Sequence, residues 1–180
     1  LNCPTTSSAG RWFDAAAGAL GLCLHQVDEA EAAVALEKAA ARWMARHPDA
    51  SPLPGAVINE HNRLDLLGLL PALLEASAAD VDEVAAGFHL ALADALAAWA
   101  ILAAKAHSSQ TVCLGGGCFF NRILRERLEM RLEAADLRVY RPLHKGCGDT
   151  GLALGQAWVA ALQLRAEPVK NSLKETEPCV

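Results

Sequence analysis

An α/β fold, helix-rich with a small and incomplete sheet, is what this sequence of 180 residues predicts. Three observations lead there. Hydrophobic residues make up 53% of the chain, much of it alanine, which favours helix over strand. Apolar side chains recur at helical spacing through most of residues 1–106. Residues 111–164 then alternate strand, helix, strand, helix, the pattern of an α/β unit with parallel strands. The length suits one domain, which we place at 1–165, followed by a charged, aperiodic tail at 166–180 expected to be disordered.

Each element has its own warrant. RWFDAAAGALGL, residues 11–22, carries helical apolar spacing, with Thr5, Ser7 or Ser8 available as a cap. Residues 28–46 are rich in Ala and Glu and should form a helix ending before His47-Pro48. The stretch 48–64 holds three prolines and the short apolar run GAVI, so a loop with one short strand is expected. LDLLGLLPALLEA, 64–76, is amphipathic and interrupted by Pro71. Residues 79–106 form the longest helix, with acidic residues in its first turns, where the helix dipole favours them. Thr111–Leu114 is a short β-type run leading into Gly115-Gly116-Gly117. A helix follows from Arg122 to Ala134, then a second strand at Leu137–Tyr140. The loop RPLHKGCGD ends at a last helix from Thr150 to Leu164. Two strands alone make a marginal sheet, so partner strands outside this chain are expected.

Bulk properties narrow the class. A net charge of −5 and a pI near 5.7 argue against a nucleic-acid face built on phosphate neutralisation. No uninterrupted apolar run approaches the roughly 18 residues of a membrane span, so no membrane partner is expected. LNCPTTSSAG lacks the basic and apolar segments of a signal peptide, and the absent initiator Met points to a fragment or a processed chain. Six cysteines without a C-x-x-C pair suggest reduced thiols in a cytoplasmic protein, with Cys23 and Cys113 as small buried hydrophobes and Cys179 exposed.

Three places invite chemistry. Gly115-Gly116-Gly117 with Asn121 could let a ligand approach the backbone beside a helix N-terminus, or could be a turn with Asn121 as N-cap. Gly148-Asp149-Thr150-Gly151 repeats the arrangement after the second strand, with Asp149 either a cation ligand or a cap. Both loops should meet beyond the carboxyl ends of the strands, where open α/β sheets bind ligands. The third place is Asp14, within Arg11-Trp12-Phe13-Asp14, which spacing alone reads as a solvated helix residue. His89 reads as a satisfied core histidine, and the histidines show no H-x-x-x-H pair. The arginines and glutamates of 122–133 read as a solvated helix face laced with salt bridges.

Taken together, TSSAGRWFDAAAGALGL, the Phe-His within AAGFHLALADALA, VCLGGGCFFNRIL and GDTGLALGQAW resemble, in that order, the C-terminal part of HypF-type carbamoyltransferases, which are hydrogenase maturation factors. They are similar, more distantly, to the TsaD-type proteins that make threonylcarbamoyladenosine in tRNA. The resemblance implies the C-terminal half of an actin-like, sugar kinase and heat-shock ATPase domain with ribonuclease H-like halves. It implies ATP-dependent transfer of a carbamoyl group from carbamoyl phosphate, through carbamoyl-adenylate, to the C-terminal cysteine of HypE for the cyanide ligands of [NiFe]-hydrogenase. By matching motifs, Asp14, Gly116, Gly117 and Asn121 would contact the nucleotide, and Asp149 would ligate a divalent metal (zinc, iron or magnesium). The family's metal-binding histidines and its upstream HypF domains do not occur in this sequence, so this segment is not expected to act alone. Glu29-Ala30-Glu31 stands where the family usually has Glu-Gly-Gln, and Gly148-Asp149-Thr150-Gly151 where Asn-Asp-Gly-Gly is common. Both changes put nucleotide affinity in question, leaving a non-catalytic, partner-binding segment as the alternative.

Overall fold

The computed structural model describes residues 6–142, 148 and 151–165. Its helices are α1 (Ala9–Ala19), α2 (Glu31–Met44), α3 (Leu70–Glu75), α4 (Val81–Ala106), α5 (Arg122–Glu133) and α6 (Leu152–Arg165). Its strands are β1 (Val57–Ile58), β2 (Leu64–Asp65), β3 (Thr111–Cys113) and β4 (Arg138–Tyr140), and 3-10 turns cover Leu67–Leu69 and Gly117–Phe120. The fold is therefore helix-rich α/β, with β1 and β2 antiparallel and β3 and β4 parallel.

Helix α4 is the axis. It packs between α2 and α5, and α1 lies on α2. Phe13, Leu36, Leu69, Phe88 and Leu92 bury together at this junction, with Phe13 and Phe88 edge to face at 5.7 Å. A second, smaller core of Ala97, Leu114, Leu128 and Leu132 fills the space between α4, α5 and the parallel pair. In length and composition α4 matches a membrane span, which the count of uninterrupted residues overlooked because His89 and Asp94 break the run. Here its apolar surface is largely buried against α2 and α5.

Several local expectations shift. Pro71 sits in the first turn of α3 instead of interrupting a helix, because its missing N–H falls where no intrahelical partner is needed. Ser8 occupies the N-cap position of α1 without a side-chain cap bond. A second short strand, β2, pairs with β1 across a loop closed by Asn59, whose Oδ1 accepts from the backbone N–H groups of His61 and Arg63. Cys113 is exposed and Cys23 half-buried, so neither is the buried hydrophobe expected. The α5 arginines also do more than face solvent. Arg127 makes a two-pronged pair with Asp94 of α4 at 2.8 and 2.9 Å, and Arg131 adds a 3.1 Å contact. Every described side chain of α6 is exposed, including Leu152, Leu154 and Trp158. The expected tail, 166–180, lies outside the described residues.

Candidate functional site

A cleft of about 610 Å³ opens between α1, the start of α2 and the glycine loop. Asp14, Glu29, Ala30, Glu37, Gly117, Cys118, Asn121 and Gly148 are among the residues that line it, with Arg11 its one described cation. Helix α1 supplies Asp14 from the edge of its buried stripe of Phe13, Ala16 and Ala17. Arg11 Nη2 lies 3.0 Å from Asp14 Oδ2 but off the hydrogen-bonding direction, so this buried oxygen has no hydrogen-bond partner among the described residues. An ion-paired carboxylate oxygen that accepts no hydrogen bond keeps a lone pair for a donor.

The opposite wall is the glycine loop. The N–H groups of Gly115, Gly116, Gly117 and Cys118 donate to no other described residue. Gly116 has φ +110°, a backbone that side-chain-bearing residues rarely adopt. A Cβ at Gly115 or Gly117 would meet no described residue within 4 Å. The packing of the described residues therefore does not call for those two glycines, which leave open space beside the loop. The chain then tightens into the 3-10 turn, which spacing did not foresee, and Asn121 caps α5, its Oδ1 accepting from Leu124 N–H at 2.9 Å.

The α5 N-terminus does not offer the row of free N–H groups expected of it. Glu37 Oε1 accepts from Arg122 N–H at 2.6 Å, and Asn121 takes Leu124 N–H. A carboxylate already answers the positive end of that helix, so the free donors lie earlier, in the glycine loop. Glu37 escaped the sequence reading because its partner is 85 residues away. Cys118 shares the cleft, and burial first, then the Asp14 charge, push its thiol above its ordinary pKa. It is therefore a poor thiolate nucleophile.

Asp14, Gly117 and Asn121 thus come together in one cleft, while Gly116 shapes the loop without lining it. Asp149 lies outside the described residues; its neighbour Gly148 lines the cleft beside the Phe120 ring. Among the described residues no three His, Cys, Asp or Glu groups gather to hold a metal.

Residues 1–156 match the family model described as carbamoyltransferase, Kae1-like domain, second subdomain. The chain belongs to the HypF carbamoyltransferase family. It is 48% identical over 185 residues to a carbamoyltransferase HypF homolog of Cupriavidus necator, covering 99% of this chain and 47% of the relative. It is 40% identical to carbamoyltransferase HypF2 of the same organism, covering 89% and 22%. A crystal structure of full-length HypF in a phosphate- and nucleotide-bound form superposes with a TM-score of 0.74 at 28% identity, over 89% of this chain and 21% of that one. The chain thus spans less than half the length of these HypF relatives, and the helix-rich α/β fold is that of a Kae1-like subdomain.

Against the HypF pattern, one departure acquires a physical meaning. Ala30, standing where a family glycine is usual, has φ +61° and ψ +13°, the left-handed conformation that glycine adopts without strain. The backbone keeps a glycine's shape although the residue is alanine, and its side chain sits in the cleft wall. Helix α2 consequently begins at Glu31, three residues later than helical spacing indicates.

Proposed function

We propose that this chain forms one wall of the nucleotide cleft of a hydrogenase-maturation carbamoyltransferase. The observation that carries the reading is the placement, across one cleft, of an Asp14 oxygen that is ion-paired to Arg11 yet accepts no hydrogen bond from a described residue, and of the Gly117 N–H, which donates to none. A nucleoside suits both walls: ribose hydroxyls donate to Asp14, and backbone N–H groups meet acceptor atoms of the ligand. Asp14, Glu29 and Glu37 against the single Arg11 make the described lining repel a bare phosphate. The phosphate end therefore needs a divalent metal, to which Asp149 would contribute and whose other ligands come from the rest of the protein. Such a metal, zinc, iron or magnesium, supplies charge neutralisation when bound.

In this reading water cleaves carbamoyl phosphate to carbamate and phosphate, carbamate displaces pyrophosphate from ATP to give carbamoyl-adenylate, and the C-terminal cysteine thiol of HypE attacks its carbamoyl carbon. A C–S bond forms, the C–O bond to AMP breaks, and the thiol proton leaves. The role of this chain is to hold the adenylate still while that happens. The adenylate-forming step belongs to upstream HypF domains, against which the exposed apolar residues of α6 would pack.

The test is equilibrium binding of AMP to the chain with and without a divalent metal. Asp14→Asn should weaken binding about tenfold or more, the loss of a charge-assisted hydrogen bond. If Asp14→Asn binds AMP as tightly as the native sequence, the nucleotide reading fails. Ala30 favours a second reading, a non-catalytic segment, since its methyl occupies the cleft wall where the family usually has none. Undiminished HypE binding without any affinity for AMP would select it.

A further inference from the structure

We infer that His89 is a positioning residue for the cleft: one neutral imidazole fixes the orientation of the Asn121 carboxamide and bears on the helix that carries Asp14. The inference concerns how the two walls are held, whatever ligand lies between them. His89 is fully buried in the middle of α4. Its Nδ1 is 2.8 Å from the Ala85 carbonyl oxygen, which can only accept, so Nδ1 carries the proton. Its Nε2 is 2.9 Å from Asn121 Nδ2, which can only donate, so Nε2 presents a lone pair. Asn121 Oδ1 is then directed at Leu124 N–H.

Only one arrangement of these four groups satisfies all of them. Turning the carboxamide round would set oxygen against the Nε2 lone pair and an N–H against the Leu124 N–H. Moving the ring proton to Nε2 would set two donors together and leave Nδ1 facing a carbonyl. The same ring lies 5.5 Å from Phe13, the residue before Asp14. The Asn121 backbone N–H, meanwhile, donates to Cys118 O at 3.1 Å, closing the 3-10 turn below the glycines. One buried side chain thus references both walls, and a purely apolar one of similar size would preserve packing while losing the orientation.

The experiment is nuclear magnetic resonance on the full chain, which requires no nucleotide and so stands or falls apart from the proposed function. Ring ¹⁵N shifts at neutral pH should show His89 as the neutral Nδ1–H tautomer; an Nε2–H tautomer or a charged ring overturns the inference. In His89→Leu the amides of Leu124, bonded to Asn121 Oδ1, and of Asn121, bonded to the Cys118 carbonyl, should exchange about tenfold faster, the scale of one lost cap, while α2 amides keep their protection. His89→Gln, whose carbonyl can accept from Asn121, should restore Leu124 protection to within about threefold of native. Unchanged Leu124 exchange in the Leu variant, equal acceleration at every amide, or no rescue by Gln would each reject the role. If the Leu variant does not fold, the tautomer and the Gln variant decide.

Discussion

Acid should strip stability from this fold through His89, and the size of the effect can be worked out. Burial pushes the imidazole down to about 4, only partly offset by the Ala85 carbonyl. The unfolded chain binds a proton at this position near the ordinary histidine value of about 6.5. Between those values the unfolded state holds more protons than the folded one. The contribution is therefore complete above about pH 6.5 and is lost as pH falls towards about 4. A gap of about 2.5 units corresponds to about 3 kcal/mol in all, and about 2 kcal/mol of it is spent between about pH 7 and pH 5. That is a large share of a typical folding free energy of about 5–15 kcal/mol. Urea unfolding of the native chain and of His89→Gln across this range isolates the effect, because the carboxylates titrate in both proteins and cancel in the difference. The native chain should lose about 2 kcal/mol more than the variant over that interval. Parallel losses in the two proteins would refute the reasoning.

Three other outcomes follow from local geometry. Ala30→Gly should raise stability by about 1 kcal/mol and the melting temperature by about 2–4 °C, since relief of left-handed strain exceeds glycine's extra entropy loss; a fall in the urea midpoint would contradict the backbone described. Gly68→Ala should destabilise by about 2 kcal/mol or more, because the new methyl would run into the backbone carbonyl of Gly55; an unchanged midpoint would show that this contact is loose. Asp94→Asn should cost about 1–2 kcal/mol by removing the charge from a two-pronged, half-buried pair, and a cycle with Arg127→Gln should assign most of that loss to the pair.

How much of this was readable beforehand depends on how far apart the interacting residues lie. Helix α5 was legible almost to the residue, because the Asn121 cap and the apolar residues Ile123, Leu124, Leu128 and Leu132 all lie within one local stretch. The parallel pairing of β3 and β4 was legible from strand–helix–strand alternation. Strand β2 was not, since Leu64-Asp65 becomes a strand only through its partner Val57-Ile58. The start of α2 was misplaced for a different reason: propensity has no term for an alanine held left-handed. His89 read correctly as a satisfied core histidine, but its partner Asn121, 32 residues on, could not be deduced.

The glycine loop shows how sequence and structure divide the question. Three successive glycines in a helix-prone chain are ambiguous, because a tight turn and a ligand loop call for the same residue. The structure separates them one position at a time. Gly116 is explained by its own backbone, whose φ of +110° would strain any residue with a side chain. Gly115 and Gly117 have no such reason: neither has a positive φ, and no described residue would meet a Cβ there within 4 Å. Nothing among the described residues requires a glycine at either position. At Gly117 that space faces a cleft whose other wall holds the Asp14 oxygen, ion-paired to Arg11 but accepting no hydrogen bond from a described residue. Gly117→Ala is thus the substitution that distinguishes the two causes, because it should leave the urea midpoint unchanged while weakening AMP binding.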